Sequence, residues 1–92
     1  MRIIDHYVGG EQFSGNSKRL SSVFNPATGE ETAKVRLGNK EDLNKTVEKA
    51  INAFRSWSNT PPLQRARVLF KFKELIEKNS DELTKIIVSE HG

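Results

Sequence analysis

The segment from Val23 to Glu30 constrains the fold most strongly, because it joins the end of one β-strand to the start of the next. Its Asn25-Pro26 pair is typical of a tight turn, and Gly29 permits the backbone to reverse. From Thr32 to Leu37, polar and apolar residues alternate at the period of a strand. We therefore predict a strand over Leu20 to Phe24, a turn, and a half-buried second strand. The inner face of that second strand carries Ala33, Val35 and Leu37.

Another hairpin is predicted nearer the N-terminus. The run from Ile3 to Val8 is apolar and β-prone, the Gly9-Gly10 pair can supply the positive φ angles of a type I′ turn, and Glu11 to Phe13 returns. The small and polar residues from Ser14 to Arg19 are interpreted as a loop. Four short strands are therefore expected before Gly38, which ends the last of them.

The first predicted helix begins after Asn39, a residue that often caps helix N-termini. Glu41 and Asp42 lie in its first turn, where the helix dipole favours negative charge. Apolar residues then recur at helical spacing as far as Trp57 and form one stripe. The members of that stripe are Leu43, Val47, Ala50, Ile51, Phe54 and Trp57.

Two more helices are predicted from their capping patterns. Thr60 is expected to cap the second helix with Pro61 at its first position, and Asn79 with Glu82 is expected to cap the third. The second helix is apolar over most of its circumference, so it needs neighbours on several sides. Its apolar residues are Val68, Leu69, Phe70, Phe72, Leu75 and Ile76, and those of the third helix are Leu83, Ile86 and Ile87. Strands followed by helices predict an α+β fold class.

Composition narrows the range of functions. A chain of 92 residues forms one domain at most, and its stability would be marginal if it stood alone. Fifteen Lys and Arg against twelve Asp and Glu give a net charge of +3 without a run of like charge, which is weak support for a nucleic-acid partner. Cysteine is absent, so these residues contain no disulfide, thiolate metal site or thiol nucleophile. No apolar run is long enough for a signal peptide or a membrane span, and we expect a cytoplasmic protein.

Few side chains could carry chemistry. Neither His6 nor His91 has a second histidine or a carboxylate at metal-ligand spacing, so both are interpreted as surface or packing residues. Ser89 lies in a helical pattern and not on a nucleophile elbow, although Asp81 and His91 are near it in sequence. The glycines mark turns and form no phosphate-binding pattern. Acidic residues interrupt the basic residues of the second helix, and its phenylalanines are needed for packing, which disfavours nucleic-acid binding. The basic residues concerned are Arg65, Arg67, Lys71, Lys73 and Lys78.

Four segments, taken in order, resemble the N-terminal end of an aldehyde dehydrogenase. They are Val23 to Glu30, Asn39 to Trp57, Thr60 to Phe70, and Ser89 to Gly92. The paired prolines, the Arg-Ala-x-Val-Leu-Phe-x-Phe-Lys run and the Glu-His-Gly ending are most similar to the CoA-acylating methylmalonate-semialdehyde dehydrogenase branch. The resemblance implies that residues 1–92 are the N-terminal portion of the NAD-binding domain of a longer α/β enzyme, truncated before its catalytic domain.

The resemblance also implies a reaction. An enzyme of this branch oxidises malonate or methylmalonate semialdehyde to acetyl-CoA or propionyl-CoA: a cysteine thiolate attacks the aldehyde, NAD accepts the hydride and CoA releases the acyl group. We predict no catalytic residue, no cofactor-binding residue and no side-chain metal ligand in residues 1–92, which would act as a scaffold for the rest of the parent chain. In some members the backbone carbonyls of Val23 and Phe24 would help to hold a monovalent cation. The family resemblance further implies a homo-oligomer, expected to be a tetramer, and no membrane partner.

Two alternatives stay open at this level. The hydrolytic aldehyde dehydrogenases are similar to the CoA-acylating branch over these residues. The other alternative is a small independent α+β domain that docks a partner through exposed apolar helix faces.

Overall fold

The computed structural model describes all residues from Met1 to Gly92. Its strands are β1 (Arg2–Ile4), β2 (His6–Val8), β3 (Glu11–Phe13), β4 (Leu20–Phe24) and β5 (Glu31–Arg36). Its helices are α1 (Lys40–Trp57), α2 (Pro62–Lys78) and α3 (Ser80–His91). Strands thus precede helices, which confirms the predicted α+β order.

The hairpin of β4 and β5 confirms the central sequence prediction. The turn is closed by hydrogen bonds from the Gly29 N–H to the Asn25 carbonyl and from the Asn25 N–H to the Glu30 carbonyl, both 2.8 Å long. Gly29 has a φ of 75°, in the left-handed region that glycine tolerates. The strand β5 starts and ends one residue earlier than predicted, and its Ala33 is only 1% exposed.

The predicted turn of the first hairpin is confirmed, but the prediction of its first strand is wrong. Gly9 and Gly10 both have positive φ, 65° and 82°, and β2 pairs with β3 in antiparallel register. The run from Ile3 to Val8, however, divides at Asp5 into two strands, so the chain has five strands and not four. The strand β1 pairs with β5, parallel to it, in a sheet of order β1-β5-β4.

The break at Asp5 has an identifiable physical cause. The returning strand β3 has three residues, so it can pair only with His6 to Val8, which leaves the ladder groups of Ile3 and Ile4 unpaired within the hairpin. Those groups find partners on the edge of β5 instead. Between the two strands, the Asp5 carboxylate accepts a hydrogen bond of 2.6 Å from the Arg36 Nε. The Arg36 guanidinium lowers the pKa of the Asp5 carboxyl below its ordinary value.

The helix α1 starts as predicted, whereas the predicted start of α2 is wrong. Asn39 caps α1, and its side chain accepts a hydrogen bond from the Asp42 N–H. Thr60 does not cap α2, because its hydroxyl donates to the Ser56 carbonyl at the end of α1. Pro62, not Pro61, occupies the first helical position. The ring of Pro62 forces the preceding residue out of the helical region, and Pro61 accordingly has a ψ of 147°.

The predicted capping pair of α3 is also wrong. The side chain of Asn79 makes no cap to α3, and its Nδ2 donates a hydrogen bond of 2.7 Å to the Leu75 carbonyl. Asn79 therefore closes the C-terminus of α2, where unpaired carbonyls compete for its amide. None of the three helices is long and apolar enough to cross a membrane.

The chain is an open slab with very little interior. Its Cα extents are 48 × 35 × 15 Å and its radius of gyration is 16.9 Å, whereas a compact domain of this length has a radius of about 12 Å. Its accessible surface is 7697 Å², compared with about 5,400 Å² for a folded monomer of this size. Ala33 is the one buried apolar residue. The individual strands and helices are therefore formed, but their apolar faces do not cover one another.

Candidate functional site

The least exposed polar residue in the chain is Asp42, which is 3% exposed. The start of α1 positions it at the third helical residue. Its Oδ2 accepts a hydrogen bond of 3.1 Å from the Asn39 N–H, which completes a reciprocal capping box. Its Oδ1 accepts one of 2.7 Å from the Asn16 N–H. Asp42 thereby ties the loop before β4 to the first turn of α1.

Gly15 makes this close approach possible. Its φ is 73°, and a Cβ built on it would lie 2.5 Å from Asp42 Oδ1. A neighbouring contact supports the same junction, since the Asn16 Nδ2 donates to Glu41 Oε2 at 2.5 Å. The loop and the helix start are thus held together by charged acceptors and loop amides.

Opposing influences act on the pKa of Asp42. Burial raises the pKa of the carboxyl, but the N–H groups of Asn16, Asn39 and Ser17, with the electrostatic influence of His6, outweigh that effect. The net result is a pKa below the ordinary 3.8. Asp42 is therefore a stable anion at neutral pH and a poor proton donor.

An open cleft of about 700 Å³ lies beside Asp42, between β2 and the start of α1. Its polar walls are largely engaged within the chain: Arg19 Nη2 donates to the Gly38 carbonyl at 2.6 Å, and the Thr46 hydroxyl donates to the Asp42 carbonyl at 2.8 Å. His6 Nε2 is shielded from solvent without a hydrogen-bond partner. The contacts observed around the cleft tie the loop before β4 to the start of α1, so the geometry describes a structural junction.

The other side chains considered as chemical candidates are not brought together. The His6 ring lies 6.1 Å from the Phe13 ring, as expected for a packing residue, and His91 is exposed at the end of α3. The Ser89 hydroxyl donates to the Ile86 carbonyl of its own helix at 2.7 Å. No three His, Cys, Asp or Glu side chains converge on a point where a metal could bind.

The backbone carbonyls of Val23 and Phe24 lie at an irregularity in the sheet. The register of β4 against β5 shifts between these two residues. The Val23 carbonyl accepts a hydrogen bond of 3.3 Å from the Thr32 hydroxyl, and Phe24 is exposed at the end of its strand. Their participation in a cation site stays a prediction.

The helices α1 and α2 present most of the apolar surface of the chain. Their large apolar side chains are between 41% and 69% exposed, with Phe70 at the upper limit. The inner face predicted for α3 is uncovered as well. On α2, Lys71 pairs with Glu74 and Lys73 with Glu77, so acidic partners interrupt the basic face. These apolar faces were predicted from the sequence. The hydrogen bond from the Asn16 N–H to the Asp42 carboxylate was not predicted, and neither was the shielded, unpaired Nε of Arg65.

Comparison with known proteins gives a consistent result over the whole chain. The profile of the aldehyde dehydrogenase family matches residues 13–92. A malonate-semialdehyde dehydrogenase 2 from Bacillus cereus is 44% identical over 91 residues, which are 99% of this chain and 19% of that protein. A malonate-semialdehyde dehydrogenase from Pseudomonas aeruginosa is 44% identical over 92 residues, which are 100% of this chain and 18% of that protein.

Solved structures agree. The crystal structure of a methylmalonate-semialdehyde dehydrogenase from Sinorhizobium meliloti 1021, complexed with NAD, superimposes with a TM-score of 0.97 at 41% identity. A methylmalonate-semialdehyde dehydrogenase from Oceanimonas doudoroffii superimposes with a TM-score of 0.85 at 46% identity. Each comparison covers 100% of this chain and 19% of the other chain. The chain thus spans about a fifth of the length of the relatives that it matches.

Proposed function

Because this chain belongs to the aldehyde dehydrogenase family, we propose that residues 1–92 form the N-terminal portion of the NAD-binding domain of a CoA-acylating semialdehyde dehydrogenase. The parent enzyme would oxidise malonate or methylmalonate semialdehyde with NAD and transfer the acyl group to CoA. It would act in the cytoplasm as a homo-oligomer, expected to be a tetramer.

One observation carries this proposal. The whole chain has the backbone of the N-terminal fifth of a methylmalonate-semialdehyde dehydrogenase that binds NAD. Relatives named for malonate semialdehyde, at similar identity, support the same substrate class. Superposition over every element, including the unexpected parallel pairing of β1 with β5, requires the same chain path and not only a similar composition.

Within that enzyme the residues described here would serve as a scaffold. The mechanism needs a cysteine thiolate that attacks the aldehyde carbon, and residues 1–92 contain no cysteine. The cofactor NAD supplies the hydride acceptor when bound. The chain itself contributes rigid hairpins, an ordered helix start at Asp42 and apolar helix faces for packing. We accordingly assign no catalytic or cofactor-binding residue to it, and we retain the Val23 and Phe24 carbonyls as candidate cation ligands.

The reaction is tested on the intact polypeptide that carries these residues. It is incubated with each semialdehyde and NAD, with and without CoA, while NADH is followed by absorbance and acyl products by mass spectrometry. We expect NADH to accompany acetyl-CoA or propionyl-CoA. Release of the free acid at an equal rate without CoA would instead place the enzyme among the hydrolytic aldehyde dehydrogenases.

The scaffolding role is tested in a hybrid protein, called the chimera below. In the chimera, residues 1–92 replace the matched residues of the Pseudomonas aeruginosa malonate-semialdehyde dehydrogenase. A scaffold that preserves the backbone should preserve NADH formation with malonate semialdehyde. A chimera that folds and assembles like its parent but forms no NADH would contradict the role.

The open slab argues against the alternative of an independent interaction domain. A domain that folds alone buries a core of its own, whereas this chain buries one apolar residue and exposes about 2,300 Å² more than a compact monomer would. That surface is expected to be covered by the remainder of a larger protein.

A further inference from the structure

We draw no further inference here: the strongest candidate, the open cleft between β2 and the start of α1, carries none, because its Arg19, Asp42 and Thr46 side chains already form hydrogen bonds within the chain and belong to the structural junction already described.

Discussion

The carboxylate of Asp42 occupies the space that a side chain on Gly15 would need. A Cβ on Gly15 would lie 2.5 Å from Asp42 Oδ1, although 27 positions separate the two residues in sequence. The contact joins the loop before β4 to the N-terminus of α1, where the Asn16 N–H reaches the same oxygen. The Asp42 carboxylate can therefore occupy this position only because residue 15 has no side chain.

Gly15→Ala should destabilise the chimera more than Gly10→Ala. Both glycines have positive φ, so both alanines carry a backbone cost of about 1 kcal/mol. Nothing lies within 4 Å of a Cβ on Gly10, whereas one on Gly15 collides with Asp42 and adds overpacking on the order of 1–3 kcal/mol. Chemical unfolding of both variants measures the difference. Equal losses of unfolding free energy would show that the close approach does not exist.

The stability contributed by Asp42 should depend on pH. Its carboxyl has a pKa below the ordinary 3.8 in the folded chain, so the folded state binds the proton less readily than the unfolded state does. The contribution is therefore complete above pH 3.8 and is lost as pH falls through the lower, folded value. Asp42→Asn should reduce the unfolding free energy of the chimera at neutral pH, and the gap from wild type should narrow below pH 3.8. A gap that is constant across this range would contradict the assignment.

Gly29→Val should destabilise the chimera by about 1–2 kcal/mol. The φ of 75° is costly for a β-branched residue, and nothing lies within 4 Å of a Cβ there, so the cost is one of backbone conformation alone. Gly29→Asn is the matched control, because asparagine tolerates left-handed backbone and should recover most of the loss. A thermal midpoint left unchanged by valine would argue against a turn that depends on this conformation.

Residues 1–92 alone should self-associate or bind a hydrophobic dye. Their helices expose apolar surface that a compact monomer would bury, and Trp57 is 41% exposed. We expect heavy species in sedimentation or strong dye fluorescence, with Trp57 emission close to that of indole in water. A sharp monomer with dispersed amide resonances and no dye binding would show that the chain closes its own core.

The isolated chain should also form no NADH from semialdehyde and NAD. Without cysteine it cannot form the thiohemiacetal from which hydride departs. The assay compares the 92-residue chain with the chimera at equal molar concentration. Aldehyde-dependent NADH from the chain, abolished by mutation of one of its own residues, would require a different mechanism.

Local chemistry in the sequence was sufficient to determine several elements. The Asn25-Pro26 turn with Gly29, the strand from Leu20 to Phe24 and the start of α1 at Asn39 were all predicted, because each depends on residues within about five positions of one another. The helical periods of α1, α2 and α3 are equally local. The reciprocal capping box of Asn39 and Asp42 is local as well, but only the cap at Asn39 and the favourable dipole position of Asp42 were predicted.

Local chemistry was insufficient where neighbouring signals competed. Thr60 and Pro61 formed a plausible helix start, but the second proline displaced it by one residue. Asn79 could cap either of two helices, and it closed α2 because its amide was already beside the Leu75 carbonyl. The outcome in both cases depends on which nearby backbone group would otherwise lack a hydrogen-bond partner. Residue propensities for helix ends contain no information about such partners.

Only the tertiary structure decided the long-range features. The division at Asp5 and the parallel pairing of β1 with β5 join residues about thirty positions apart, and no local pattern marks either partner. The approach of Gly15 to Asp42 is of the same kind. So is the unpaired Nε of Arg65, since a lone arginine in a helical pattern looks like any solvated charge until its surroundings are known. The sequence by itself determined which elements form and which faces are apolar, and the tertiary structure decided which distant groups satisfy one another and which stay open.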